Sequence, residues 1–257
     1  MQQNTPDRPS RADEFRFVLG LFTRLPVGAV PEMPAGSLAR AVWCFPLVGA
    51  VVGLLAGLGA LVGAEFGLGP WGLAVLAIAI ELLATGALHE DGFADVADSF
   101  GGRDRETRLR IMRDSRIGSF GAVALWLLLS ARLVFLAGAS GAGVWTLVFA
   151  LVAANTAARL ALLIPLVLLP AARSDGLGAG FGTVGRDAGA SAVVFATGIG
   201  IVCLGGGVFG AALAVLIAGI AMSALGRQNL GGHTGDLLGA TAALTLPLVL
   251  AVAGGHV

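Results

Sequence analysis

The sequence contains no lysine and no tyrosine, and charged residues occupy only 12% of its 257 positions. So little charge, beside 56% hydrophobic residues and a mean hydropathy of +0.88, excludes an ordinary soluble domain. Arginine supplies all 16 basic residues against 16 acidic ones, so the formal charge is zero and no basic excess points to a nucleic-acid partner. Cysteine is nearly absent. Cys44 and Cys203 sit inside apolar runs, with neither metal-ligand spacing nor an obvious disulfide context. No cleavable signal peptide is apparent, because the first 14 residues are polar and the following short apolar stretch carries Arg16 and Arg24.

What is abundant is glycine, 40 residues of it, alternating with long apolar runs. Small residues let transmembrane helices approach closely, so the composition describes an all-α polytopic membrane bundle whose glycine-rich faces also permit a homo-oligomer. A span needs about 20 apolar residues. Seven candidates follow, near 41–63, 70–88, 119–138, 144–169, 189–207, 208–226 and 237–254. Before them, Phe15 to Leu25 suggests an amphipathic segment lying at the membrane surface. Arginines outside the spans fall in the N-terminal segment and in the 89–118, 170–188 and 227–236 loops, while the alternate connections hold none. By the positive-inside rule the N-terminus and all the polar loops are cytoplasmic. The whole chain, 1–257, is expected to be one membrane domain, with 1–40 as an interfacial lead-in and 89–118 as a catalytic loop.

The densest chemistry follows the second span, in His89 to Ser99. On a helix Asp91, Asp95 and Asp98 fall within roughly 60° of one another, and such carboxylates repel unless a cation lies between them. The helix of the second span is expected to continue past the bilayer and present this face at the cytoplasmic interface. His89 lies roughly 160° from Asp91 and is not expected to be a metal ligand. Six arginines follow between Arg103 and Arg116, a run that also contains Asp114. Such a run is an ordinary topology signal. Beside an acidic cluster, however, guanidinium forks and carboxylates are the equipment of phosphoryl transfer, with magnesium the fitting ion for an all-oxygen site.

A third polar island, Leu230 to Asp236, contains Gly231-Gly232-His233-Thr234 and is either an anion-holding loop or a plain turn. Within the spans lie Glu81, Arg132 and Arg159, the last one helical turn after Asn155. Charges inside a membrane pair with each other or face a polar cavity, and both readings of Glu81 stand.

Five motifs, in order, resemble the cobalamin synthase family of adenosylcobinamide-GDP ribazoletransferases over nearly the whole chain. They are Phe22-Thr23-Arg24-Leu25-Pro26, Phe45 to Gly49, His89 to Ser99, Ile111 to Gly118 and Gly231 to Asp236. The departures are Ser99, where a glycine is expected, and His233, where glutamine is common. The resemblance implies a magnesium-dependent enzyme of the bacterial inner membrane, its active site facing the cytoplasm. Its reaction would transfer cobinamide phosphate from adenosylcobinamide-GDP to α-ribazole or its 5′-phosphate, with release of GMP. It further implies metal ligation by Asp91, Asp95, Asp98 and Asp114, one or two ions being held. Asp98 or else Asp114 would take the proton of the attacking hydroxyl. Substrate contacts would come from Arg24, Arg113, Ser115, Arg116, Gly232, His233 and Asp236. Two rivals differ in class. A CDP-alcohol phosphotransferase would carry an Asp-Gly-x-x-Ala-Arg signature, absent here; a cation-coupled transporter would place its acidic residues nearer the midplane.

Overall fold

The computed structural model describes residues 9–29, 36–174 and 180–254, so parts of the N-terminal segment and of the 170–188 loop lie outside the described residues. Helices account for its architecture: α1 (Arg11–Phe22), α2 (Ser37–Ala41), α3 (Phe45–Glu65), α4 (Pro70–Thr85), α5 (Leu88–Ser99), α6 (Arg105–Ile111), α7 (Ser119–Gly141), α8 (Val144–Ala161), α9 (Leu163–Leu168), α10 (Arg186–Leu204), α11 (Val208–Leu225) and α12 (Gly235–Gly254). Among the described residues the sole β-type pairing is a bridge between Ala171 and His233.

Five apolar runs have the length to cross a membrane, and the bent pair α4–α5 makes a sixth. One of the five, Arg186–Leu230, has 45 residues. Straight, it would extend about 68 Å, over twice the hydrocarbon thickness. It breaks instead at Gly205, whose φ of +53° turns the chain, and Gly200 comes to lie against Val208. Residues eight apart on a straight helix stand about 12 Å from each other, so the chain does not run straight from α10 into α11. The protein is a multi-pass membrane bundle in agreement with the sequence reading.

The α8–α9 run and α12 form the centre, 83% and 72% of their apolar windows being buried against 28% for α7. α3 packs on α8 through Gly49 and Gly53: a Cβ on Gly49 would stand 2.2 Å from the Asn155 carbonyl oxygen, and one on Gly53 2.6 Å from that of Leu151. The glycine stripe is what lets two backbones touch where lipid removes the usual apolar drive. Outward faces carry Leu54, Trp126, Val194 and Phe209, as lipid contact requires.

The first helix differs from its expectation. Ser10 and Asp13 form a reciprocal cap, but α1 does more than rest on the membrane surface. It buries Val18 and Phe22 in the bundle, the Phe22 ring meeting Phe45 edge to face at 4.9 Å. The intramembrane charges are resolved as a structural network. Arg132 donates to Glu81 and, at 2.7 Å, to Glu90; Asn155 donates to Glu81; and Arg159 donates to Asn155 at 2.8 Å. Two carboxylates thus face two guanidiniums, which removes the cost of isolated charge in a medium without water.

Candidate active site

The second span does not run on into the acidic helix. α4 ends at Thr85 and the chain turns 89° into α5. Gly86 (φ +64°) and Ala87 (φ +56°) make this elbow, two successive left-handed residues that no α-helix tolerates. A side chain at Gly86 would strike the Arg24 guanidinium, 2.4 Å away, while the Arg24 N–H donates to the Ala84 carbonyl at 2.7 Å. α5 therefore lies across the bundle, not along the span, packed against α7 and α12.

The helical periodicity divides α5 as expected. His89, Glu90, Gly92, Val96 and Ser99 are buried, whereas Asp91 is exposed and Asp95 and Asp98 are half-exposed on the other side. Their surroundings then separate the three aspartates. Asp91 and Asp95 line a polar cavity of about 320 Å³ together with Arg113, Asp114, Ser115 and Arg116, which brings six sequence-selected residues to one place. Asp98 turns instead to the start of α7: its two carboxylate oxygens accept the N–H groups of Gly118 at 2.7 Å and Gly121 at 2.8 Å. It serves as an anionic cap on the helix N-terminus.

The Asp95 carboxyl is pushed up to about 7, first by burial and then by the charges of Asp91, Asp236 and Asp98, with Arg173 opposing. Convergent carboxylates raise one another in this way, because each disfavours the charged form of its neighbour. All-oxygen donors with room for water suit a hard divalent ion. Among the described residues, however, no three acidic, histidine or cysteine side chains stand close enough to enclose an ion as they are. Asp114 has its own partner within that cavity. It forms a two-pronged pair with Arg116, the closest contact being 2.7 Å, and this pairing holds its carboxyl down at about 2.

Two of the arginines in the 103–116 stretch do structural work. Arg105 donates to the carbonyls of Leu230 (2.7 Å) and Ala172 (2.8 Å), and Arg108 to those of Gly102 (3.0 Å) and the Asn229 side chain. They tie three polar loops into one layer. The glycine-rich island is part of that layer. The His233 N–H donates to Pro170 and the Gly232 N–H to Gly226, so neither amide is available to an anion. A Cβ on Gly232 would meet the Pro170 carbonyl at 2.3 Å, which explains the glycine by close approach. Arg24 stands at the elbow and does not line the polar cavity.

A second cleft, of about 100 Å³ and largely apolar, runs between α1, α5 and α12, and is bordered by Asp91 and Asp236. Asp91 thus belongs to both cavities. Asp236 enters the acidic group on α12, close enough to raise Asp95, with Arg173 4.0 Å from its carboxylate. Arg173 was not singled out from the sequence. Its other partner, the Leu109 carbonyl at 2.9 Å, is 64 positions away, so no local pattern marks it.

The chain is similar to known proteins over most of its length. The chain matches the family described as cobalamin-5-phosphate synthase over residues 14–254. It is 43% identical to the adenosylcobinamide-GDP ribazoletransferase of Bradyrhizobium diazoefficiens over 233 residues, covering 88% of this chain and 87% of that one. The enzyme of the same name from Mesorhizobium japonicum is 41% identical over 248 residues, 94% of this chain and 92% of that one. No solved structure matches. A match of such length takes in the elbow, the acidic helix, the arginine loop and the α12 start together, and the chain belongs to the cobalamin-5-phosphate synthase family.

Proposed function

We propose that the protein is an adenosylcobinamide-GDP ribazoletransferase of the bacterial inner membrane, working at its cytoplasmic face. On this reading it joins the cobinamide phosphate to α-ribazole or its 5′-phosphate and releases GMP. The observation that carries this is the polar cavity in which Asp91 and Asp95 face the Arg113–Arg116 loop, because it joins acidic donors to guanidiniums. The relatives' printed names supply the substrate class.

Asp91 and Asp95 are the residues that would hold magnesium, with Asp236 beside them, and the ion when bound supplies positive charge to the pyrophosphate oxygens. Arg113 and Arg116 bind the donor's phosphates and stabilise the charge that grows on departing GMP. In the attack, the acceptor hydroxyl oxygen bonds to the cobinamide-bearing phosphorus as the bond to the GMP oxygen breaks. Neither Asp98, whose oxygens carry α7 amides, nor Asp114, held near 2, is well placed to take the hydroxyl proton. Asp236 borders the apolar cleft beside Asp91 and takes that role. Ser115 lines the donor side, Asp98 fixes α7 against α5, and Gly232 and His233 hold the loop that positions Asp236.

The test is incubation of purified protein with adenosylcobinamide-GDP, α-ribazole and magnesium, with and without chelator. Cobalamin and GMP in equal amounts are expected. Their absence from correctly folded protein sinks the assignment.

A further inference from the structure

The apolar cleft beside Asp91 is a different kind of space from the donor cavity. Its walls include Leu21, Phe22, Leu162, Phe181 and Leu238, which offer nothing to an anion. His89 also lines it, 3% exposed, its ring 5.8 Å from that of Phe22. Nε2 of His89 has no hydrogen-bond partner in the protein. Buried polar atoms are nearly always paired, and a histidine with an unpaired nitrogen on the wall of a cleft is a candidate for completion by a ligand. The two nitrogens of an imidazole supply an N–H and a lone pair, so the ring can donate to or accept from a heterocyclic nitrogen.

Asp91 borders both cavities, so ligands filling the two meet at that carboxylate. If phosphates occupy the Arg113–Arg116 side, the nucleophile enters from the other. We propose that the cleft receives the planar aromatic base of the acceptor nucleoside and that the His89 imidazole hydrogen-bonds its unsubstituted ring nitrogen, while Asp91 and Asp236 face the sugar. The inference rests on the transferase reading. Aromatic walls suit a flat heterocycle, which gains from edge and face contacts as well as area. A buried group built to bond one ring nitrogen also discriminates strongly against analogues that lack it.

The experiment is steady-state kinetics of the purified full chain with two acceptors: α-ribazole, and the analogue in which that ring nitrogen is replaced by CH. The wild-type protein should show a KM at least about tenfold higher for the analogue, a difference typical of one lost buried hydrogen bond. His89→Leu should raise the KM for α-ribazole by a similar factor, erase the preference between acceptors and leave the donor KM within about twofold. Leu21→Trp, which narrows the cleft without touching the histidine, should raise the acceptor KM alone, and this holds the proposal to account where His89→Leu does not fold. Retained discrimination in His89→Leu, or a Leu21→Trp protein with unchanged acceptor KM, overturns it. Failure of the wild-type protein to form any product overturns the transferase reading instead.

Discussion

Glu90 and Asp91 are neighbours on α5 with opposite fates. Glu90 points inward and joins Glu81, Arg132, Asn155 and Arg159 in a network whose two negative and two positive charges balance. Asp91 points outward with Asp95, into a cavity shared with Arg113, Asp114 and Arg116, and burial together with the charges of Asp91, Asp236 and Asp98 pushes Asp95 up to about 7. The inner face is electrically closed and serves the fold. The outer face gathers acidic groups at a cavity, the arrangement that a group from solution can complete.

The largest effect should come from opening the closed side. Arg132→Leu strands Glu81 and Glu90 in the bundle, at about 3–5 kcal/mol. The folded fraction in detergent, followed by thermal unfolding, should collapse. A normal melting temperature would show that the network is dispensable and the contrast false.

On the open side the sign reverses. Asp95→Asn removes repulsion, so the metal-free protein should melt at or above the wild-type temperature, while transfer falls by about 100-fold or more. A destabilised Asp95→Asn protein would put Asp95 with the structural charges. Next is Asp98, which belongs to neither class. Asp98→Ala should cost about 1 kcal/mol by uncapping α7, and should reduce turnover far less than Asp95→Asn. Equal losses of activity would return Asp98 to the metal set.

The pH response sharpens the same division. Asp95 binds its proton more tightly folded, at about 7, than unfolded, at an ordinary value near 3.8, so its contribution to stability is full below about 3.8 and lost as pH rises through 7. Metal-free protein should therefore melt lower at pH 8 than at pH 5. Added magnesium should stabilise it more at pH 8, where no proton has to be displaced. Opposite trends in a melting series would remove Asp95 from the open site. The smallest structural effect belongs to Arg116→Gln, which breaks only an exposed pair with Asp114. Its melting temperature should be unchanged and the donor KM raised, and a lowered melting temperature would make that pair part of the scaffold.

Much of this was legible in order along the chain. The apolar runs announced the spans, and the period of α5 put His89 and the three aspartates on opposite faces. What periodicity could not supply was direction. A straight continuation from α4 was expected, and two left-handed residues, one of them an alanine, turned the chain by 89°. Likewise the arginines between Arg103 and Arg116 looked equivalent. Arg105 and Arg108 are spent on carbonyls and a side chain drawn from loops more than sixty residues away, which no local pattern records.

Sequence by itself determined that this is a membrane bundle, that α5 carries a one-sided acidic face, and that Arg113, Asp114 and Arg116 follow it, because composition and helical period act locally. Only tertiary structure decided which charges are closed and which open. Asp98 caps α7, Asp236 joins Asp91 from the far end of the chain, and Arg132 rather than a ligand satisfies Glu81. Those outcomes depend on which helix ends meet in space, and the energy of a charge in a membrane protein is set by its neighbours there.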